Sequence, residues 1–566
     1  MHLLSHCKTE ERVKRQLVEA ILFERLLPFE LIEEKESTIF LIKGRTHTFQ
    51  CKGRITAFDR YRIVERSILK INQDGTSQDV SLNHLIEELT TDGNIRSKVL
   101  LELQQTILLS KWNERNVPIL STRRDLPYEE LESAITEGHP YHPCYKARTG
   151  FTLADHENYG PEANYSFQLC WIAIPRTTVR SSFPSNEIEF WKKELGEETY
   201  SILINRLKEQ GGDFSIHTLF PVHPWQWKNF IQQHTLDLSI LFLGCVGDSY
   251  RATQSVRTLW NETDLRKSHI KLAMNMVNTS SLRIFEPHSV CTAPEISTWL
   301  CRVQETDPFL QDRLVLLQEY AGSIVDTKSP TIQGQLAVIW RESVRAVLKQ
   351  GEEAVPVNAL SLMEQDGKPF IDDWLQKYGI EKWLVQFIEV AVLPVWHLLI
   401  AHGIGVEAHA QNMVLLHEDG WPTRLILRDF HESVEYTESF LSAPTLLPDF
   451  NSLHTDYLNA PNDKYYWMSS VEALRELVMD TLFVFHLSEL SYLLEIHYHY
   501  LEERFWKQVQ EILNKHLQAF PELVERHKLV QSDNSKIAVE SLFTKKIKPG
   551  QSDYRHFIQN SLLIND

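Results

Sequence analysis

The chain has 566 residues, of which 43% are hydrophobic and 24% charged, and it carries a formal net charge of −18. That length exceeds one hydrophobic core and implies two to four domains of ordinary globular composition. The excess of acid argues against a nucleic-acid groove or an anionic membrane surface as the main partner, because both select for Lys and Arg, and leaves a small ligand as the default.

In chain order, residues 9–27 have the spacing of an amphipathic helix, 38–42 and 47–51 read as strands around a Gly-containing turn, and 82 to about 112 reads as helix. Together they predict a small mixed domain over residues 1–112. Residues 113–330 are rich in Pro, aromatic and β-branched residues and predict a large mixed or antiparallel sheet. From 331 to 566 helices dominate, at 334–349, 380–402 and 466–519, interrupted by a β-hairpin at 413–427. The fold class expected is α+β. The start, MHLLSHCKTEERVKRQ, turns charged too soon for a signal peptide. The apolar run 387–401 contains Glu389 and His397 and is too short to span a bilayer. Seven Cys without CxxC or Cys/His spacing fit reduced core thiols, so a cytoplasmic protein without a membrane anchor is expected.

Four stretches carry chemistry. In GHPYHPCYKARTGF, 138–151, Pro140 and Pro143 forbid a helix, so His139 and His142 are not a helical zinc pair; an extended run puts Lys146 and Arg148 on one face, suited to an anion. In FPVHPWQW, 220–227, His223 sits among aromatics and reads equally well as a buried core residue. From 254 to 285, Ser255, Arg257, Thr258, Lys271, Thr279, Ser280 and Arg283 interleave hydroxyls with cations, as a polyphosphate requires, without a Walker loop. In GVEAHAQNMVLLHEDGWPTRLILRDFHES, 405–433, the hairpin brings Asn412 beside Asp429; with Glu407 they form the oxygen donor set that Mg²⁺ takes, and His409 and Gln411 lie between.

Two known patterns match this last stretch. Glu407, Asn412, Asp429 and Phe430 imitate the order of a kinase catalytic loop, hairpin and metal-binding Asp, but no HRD, no Gly after Phe430 and no Gly-rich lid accompany them. All four stretches together, GHPYHPCYKARTGF, HPWQ, SVRT…KLAMNMVNTSSLR, EAHAQN and RDF in this order, resemble the NRPS-independent siderophore synthetases, the IucA/IucC family of aerobactin-type biosynthesis.

The resemblance implies a three-part architecture of thumb (1–112), fingers (113–330, with a mixed or antiparallel sheet) and palm (331–566, mainly helical, with a kinase-like hairpin), and a homodimer. It implies an ATP- and Mg²⁺-dependent ligase that adenylates a polycarboxylate, citrate or a citrate monoamide, and condenses it with an amine, hydroxylamine or alcohol. Carried over by motif, Ser255, Arg257, Thr258, Lys271, Thr279, Ser280 and Gln411 would bind ATP; His139, Lys146, Arg148, Arg283 and His409 would bind the carboxylate; Arg283 and His409 would be catalytic; Glu407, Asn412 and Asp429 would hold Mg²⁺. The departure is the charged loop NETDLRKSH between Arg257 and Lys271. A kinase-like phosphotransferase, the same ligase chemistry on 2-oxoglutarate, and a non-enzymatic receptor are the competing readings.

Overall fold

A computed structural model describes residues 2–35, 37–72, 74–234, 238–327, 329–551 and 553–563. The helix His2–Phe23 opens the chain and packs on a six-stranded antiparallel sheet built between Phe29 and Asp79. Two helices follow, Leu82–Leu89 and Gly93–Asn116. The single helix expected from residue 82 breaks at Thr90, which is extended, and restarts where the Asp92 side chain caps it by accepting from the Asn94 and Ile95 amides. Glu24, just beyond the opening helix, is buried, and its carboxylate accepts from the Phe543 (2.8 Å) and Thr544 (2.7 Å) amides and from the hydroxyls of Thr544 (2.7 Å) and Tyr141 (2.6 Å). The first helix is thereby joined to residues 541–547, and one continuous core runs from Val13 to Leu562.

The large sheet has eight strands, all paired antiparallel, in the order Val179–Ser182, Glu319–Val325, Ala337–Arg341, His269–Leu272, Thr258–Asn261, Leu241–Ala252, Phe167–Pro175 and His217–Val222. Its third member corrects the helix expected at 334–349. Ala337–Arg341 is a strand, and only Val344–Val347 is helical. All five residues of the strand are buried: Val338 and Trp340 enter the aromatic core with Phe190 and Trp191, while Ala337 and Ile339 pack with Phe285 and Val290 on the other face. A strand covered on both sides loses its alternation of apolar and polar residues, and its apolar run then mimics helix spacing.

The hairpin forms as its spacing predicts, with Met413–Glu418 paired to Trp421–Leu427 around Asp419 and Gly420, both at positive φ. That Asp-Gly turn has the twist a two-residue hairpin requires. Glu353–Pro356 and Leu314–Leu316 flank it to make a four-stranded sheet.

Behind the hairpin lie the helices Ile380–His402 and Val471–Tyr498, each crossed by π-helical turns. At 23 and 28 residues they are long and apolar enough to cross a bilayer, so the 15-residue apolar run sits in a longer helix than its length suggested. Their most apolar windows are 78% and 67% buried within the protein, which makes them core helices. The helical region expected at 466–519 begins at Val471 and is interrupted after Tyr498 by left-handed His499.

Candidate active-site cleft

Asp429 is the centre of the candidate site. It follows the hairpin at φ 67°, a left-handed conformation that turns its carboxylate back toward the large sheet. There Oδ1 meets Lys271 Nζ at 3.3 Å and the Arg341 guanidinium. Lys271 and Arg341 lie on neighbouring sheet strands, two positions apart: Arg341 pairs with His269 and Lys271 with Ile339. Burial opposes ionisation of Asp429, but Arg341, Lys271 and Arg428 overcome it and hold the carboxyl well below the usual range. Burial pushes Lys271 down in turn. Glu319, fully buried, fixes the backbone beyond Asp429: its carboxylate accepts from the Phe430 (3.1 Å) and His431 (3.0 Å) amides and pairs with His431 Nδ1 at 2.9 Å.

Two guanidinium groups lie near this carboxylate without an ion-pair partner among the described residues. Arg257 donates to the Ile284 carbonyl (3.0 Å) and lies 4.4 Å over the Phe285 ring. Arg283 donates through Nη2 to the Asn278 carbonyl (2.8 Å), and its buried Nε has no partner. Burial, and next the neighbouring Arg257, push Arg283 down to about 10, while Glu407 and Asp429 pull the other way.

Glu407 and His409 form the opposite lip. Glu407 Oε2 accepts from Ser433 Oγ (2.7 Å), and Oε1 stands 3.8 Å from His409 Nε2, with both side chains about one-third exposed. His409 Nδ1 accepts from the Gln411 (3.2 Å) and Asn412 (3.3 Å) amides, which leaves Nε2, on the side of Glu407, as the ring's donor. His139 repeats the device. Its Nδ1 accepts from the Tyr141 (3.1 Å) and His142 (3.0 Å) amides, and burial, then His409, Arg60 and Arg12, lower it to about 3. Asn412 Nδ2 donates to the Glu407 carbonyl (3.1 Å), which leaves its Oδ1 for an incoming group.

Other expected residues are placed differently. Lys146 and Arg148 do not lie on an extended face: residues 143–146 form a turn, and both cations are buried against Glu162, at 3.0 Å and 2.7 Å. The signal that misled is local, because the compensating carboxylate arrives only after the helix Leu153–Tyr159. His223 is buried among Tyr159 and Phe167, the bland reading of that histidine. Ser255 accepts from the Thr258 amide (3.2 Å) in the turn before Thr258–Asn261, while Thr258 Oγ1 is buried and unpartnered. Thr279 and Ser280 form the turn between Val277–Asn278 and Ser281–Leu282, with Ser280 exposed. Gln411 contributes its carbonyl to Arg428 (2.7 Å) and keeps its side chain partly exposed. Arg428 donates to Glu132 (2.8 Å) and Tyr128 and acts on Asp429 through its charge alone. Arg341 and Glu319 were not anticipated; the one detectable signal was Glu319 in an otherwise apolar strand sequence.

Beside Glu407, Glu435 is pushed up to about 8 by burial and by Glu407, Asp463, Glu476 and Glu540. A carboxyl raised from its ordinary 4.5 binds its proton more tightly folded than unfolded, so stability falls as pH rises between about 4.5 and 8. Glu435→Gln removes that slope. Its Tm is expected to exceed that of the parent at pH 8 and to equal it near pH 4.5 in thermal unfolding followed by circular dichroism; a constant difference at both pH values would contradict the assignment.

With this geometry in view, comparison with known proteins is informative. The IucA / IucC family profile matches residues 127–362, and a second profile, described as a ferric iron reductase FhuF-like transporter, matches 381–552. The citryl-spermidine/3,4-dihydroxybenzoyl-citryl-spermidine:spermidine ligase of Bacillus anthracis is 37% identical over 98% of this chain and 94% of its own length. The crystal structure of petrobactin biosynthesis protein AsbB from Bacillus anthracis str. Sterne superposes with a TM-score of 0.93 at 36% identity, covering 98% of this chain and 95% of that one. ATP-bound aerobactin synthetase IucA from Klebsiella pneumoniae shares the fold at 17% identity, with a TM-score of 0.77 over 98% of this chain and 100% of that one. The chain belongs to the IucA/IucC family of NRPS-independent siderophore synthetases. It is a ligase of siderophore biosynthesis.

Proposed function

We propose that the cleft adenylates a free carboxylate of a citrate monoamide with ATP and joins the acyl group to a primary amine of a polyamine-like substrate. The observation that carries this reading is the pair Arg257 and Arg283, two guanidiniums with no ion-pair partner among the described residues, both near Asp429 and the second also near Glu407. The ligase named among the relatives acts on citryl-spermidine and spermidine, which favours a monoamide and an amine over 2-oxoglutarate.

In this scheme a carboxylate oxygen attacks the α-phosphorus, pyrophosphate leaves, and the amine nitrogen then attacks the acyl carbon, expelling AMP and losing a proton. Arg257, Lys271 and Arg283 offset the phosphate and carboxylate charge, and the Arg283 fork holds two oxygens at once. The Nε2 protons of His409 and His139 are donors for the carboxylate and for the oxyanion that forms on it. Because His409 Nδ1 is occupied by two amides, it positions and polarises; it does not serve as the base. The oxygens of Glu407, Asn412 and Asp429 suit a hard divalent ion, and Mg²⁺ bound there would neutralise the polyphosphate. The division into thumb, fingers and palm, with the cleft where they meet, belongs to the same reading.

The test is product stoichiometry. Citrate with ATP and hydroxylamine as surrogate nucleophile is expected to give a hydroxamate, AMP and pyrophosphate in equal amounts, resolved by mass, and a citryl-polyamine with spermidine is expected to outperform it. Stoichiometric ADP with a phosphorylated acceptor would instead establish the kinase-like reading.

A further inference from the structure

Three ligand-type atoms converge away from the cleft, where the helix Ile380–His402 passes the start of the short helix Pro308–Gln311. Asp307 caps the short helix through Oδ1, which accepts from the Phe309 (2.7 Å) and Leu310 (3.4 Å) amides. Its Oδ2 is left to face His397 Nε2 at 2.8 Å and His402 Nε2 at 2.6 Å, and the three ligand atoms lie within 4.8 Å of one another.

The backbone is built for this convergence. Residues five apart diverge on an α-helix, but Leu398–His402 runs as a π-helix, whose i to i+5 bonding brings His397 and His402 to one face. The far nitrogen of each ring is already held, His397 Nδ1 by His516 Nε2 at 2.8 Å and His402 Nδ1 by Ser442 Oγ at 3.3 Å, and Phe309 covers the His397 ring at 4.5 Å. Contacts of that kind orient imidazoles that ligate metals. His397 is 3% exposed, whereas Asp307 and His402, at 12% and 14%, leave an entry path.

We propose that Asp307, His397 and His402 bind one divalent transition-metal ion of the zinc class, independently of the nucleotide chemistry in the cleft. Two imidazoles and one carboxylate oxygen favour a borderline ion and disfavour Mg²⁺ or Ca²⁺, which take oxygen sets; water would complete a tetrahedron. On binding, each Nε2 offers its lone pair, and His397 carries its proton on Nδ1, donating to His516. The ion would link three segments of chain, the Asp307 loop, the helix Ile380–His402 and, through His516, the helix Glu502–Ala519.

Titration of the full chain with Co²⁺ in excess Mg²⁺, which occupies oxygen-only sites, is expected to give one equivalent bound with the visible d–d absorption of a nitrogen-ligated ion, displaced by Zn²⁺. His402→Ala and Asp307→Asn are expected to weaken Co²⁺ binding by more than roughly tenfold, and His516→Phe by about 10- to 100-fold through the outer contact alone. Zn²⁺ should raise the Tm of the parent protein and not that of His402→Ala. Absence of a Co²⁺ spectrum in the parent protein overturns the proposal without reference to any variant, and an unchanged affinity in a folded His402→Ala places the ion elsewhere and overturns it too.

Discussion

Arg283→Lys is expected to lower kcat/KM for pyrophosphate release by roughly 100-fold, the loss typical of one preorganised donor to a developing negative charge. Conservation of charge does not rescue the variant, for two reasons visible in the site. The guanidinium spends one Nη2 hydrogen on the Asn278 carbonyl and keeps the other beside Nη1, so a planar two-point edge remains that a single ammonium cannot reproduce. The position is also hostile to a second ordinary cation: burial and then Arg257 push even the arginine down to about 10, and the same pressures on a lysine, whose unperturbed value is about 10.4, bring it toward the working pH. Kinetics close to those of the parent would mean that Arg283 acts only as a diffuse charge.

Asp429→Asn and Glu407→Gln are expected to separate two consequences of losing a carboxylate. Both should reduce turnover by about 100-fold or more at fixed Mg²⁺. Only Asp429→Asn should also cost stability, about 3 kcal/mol, because it strands Lys271 and Arg341 as buried, uncompensated cations. Glu407 is one-third exposed and bonded to a single hydroxyl, so its amide should unfold with the parent. Denaturant unfolding and steady-state rates measured on the same samples decide the matter; full activity in either variant, or in excess chelator, would remove the metal assignment.

What was legible in the sequence follows the reach of each signal. The hairpin from Met413 to Leu427 was readable because its turn, pairing and apolar runs are all local; its ladder sets Asn412 opposite Arg428, one residue short of the Asp429 expected beside it. Of the interleaved groups of 254–285, Arg257, Lys271 and Arg283 do gather around Asp429, whereas Ser255 supports the Thr258 amide in a turn. Partnerships across long separations were not readable. Glu162 takes Lys146 and Arg148 out of solvent, and Arg341 reaches Asp429 from 88 residues away on a strand whose two buried faces had erased its period. In each miss the residue type was noticed and its counter-charge was not, since pairing is a property of the folded sheet.

The Glu24 anchor constrains how the protein is made. Its carboxylate is satisfied by the amides of Phe543 and Thr544, 519 and 520 positions later in the chain. At about 5–20 residues per second, the ribosome delivers those partners roughly half a minute to two minutes after Glu24 itself. Until then a buried acid lacks three of its four donors, and the apolar flank of the opening helix, with Val13, Leu17 and Ile21, has an incomplete seat. The amino-terminal segment is therefore the last part of the molecule to be finished although it is the first to emerge, and nascent chains stopped short of residue 543 should present that flank to holdase chaperones.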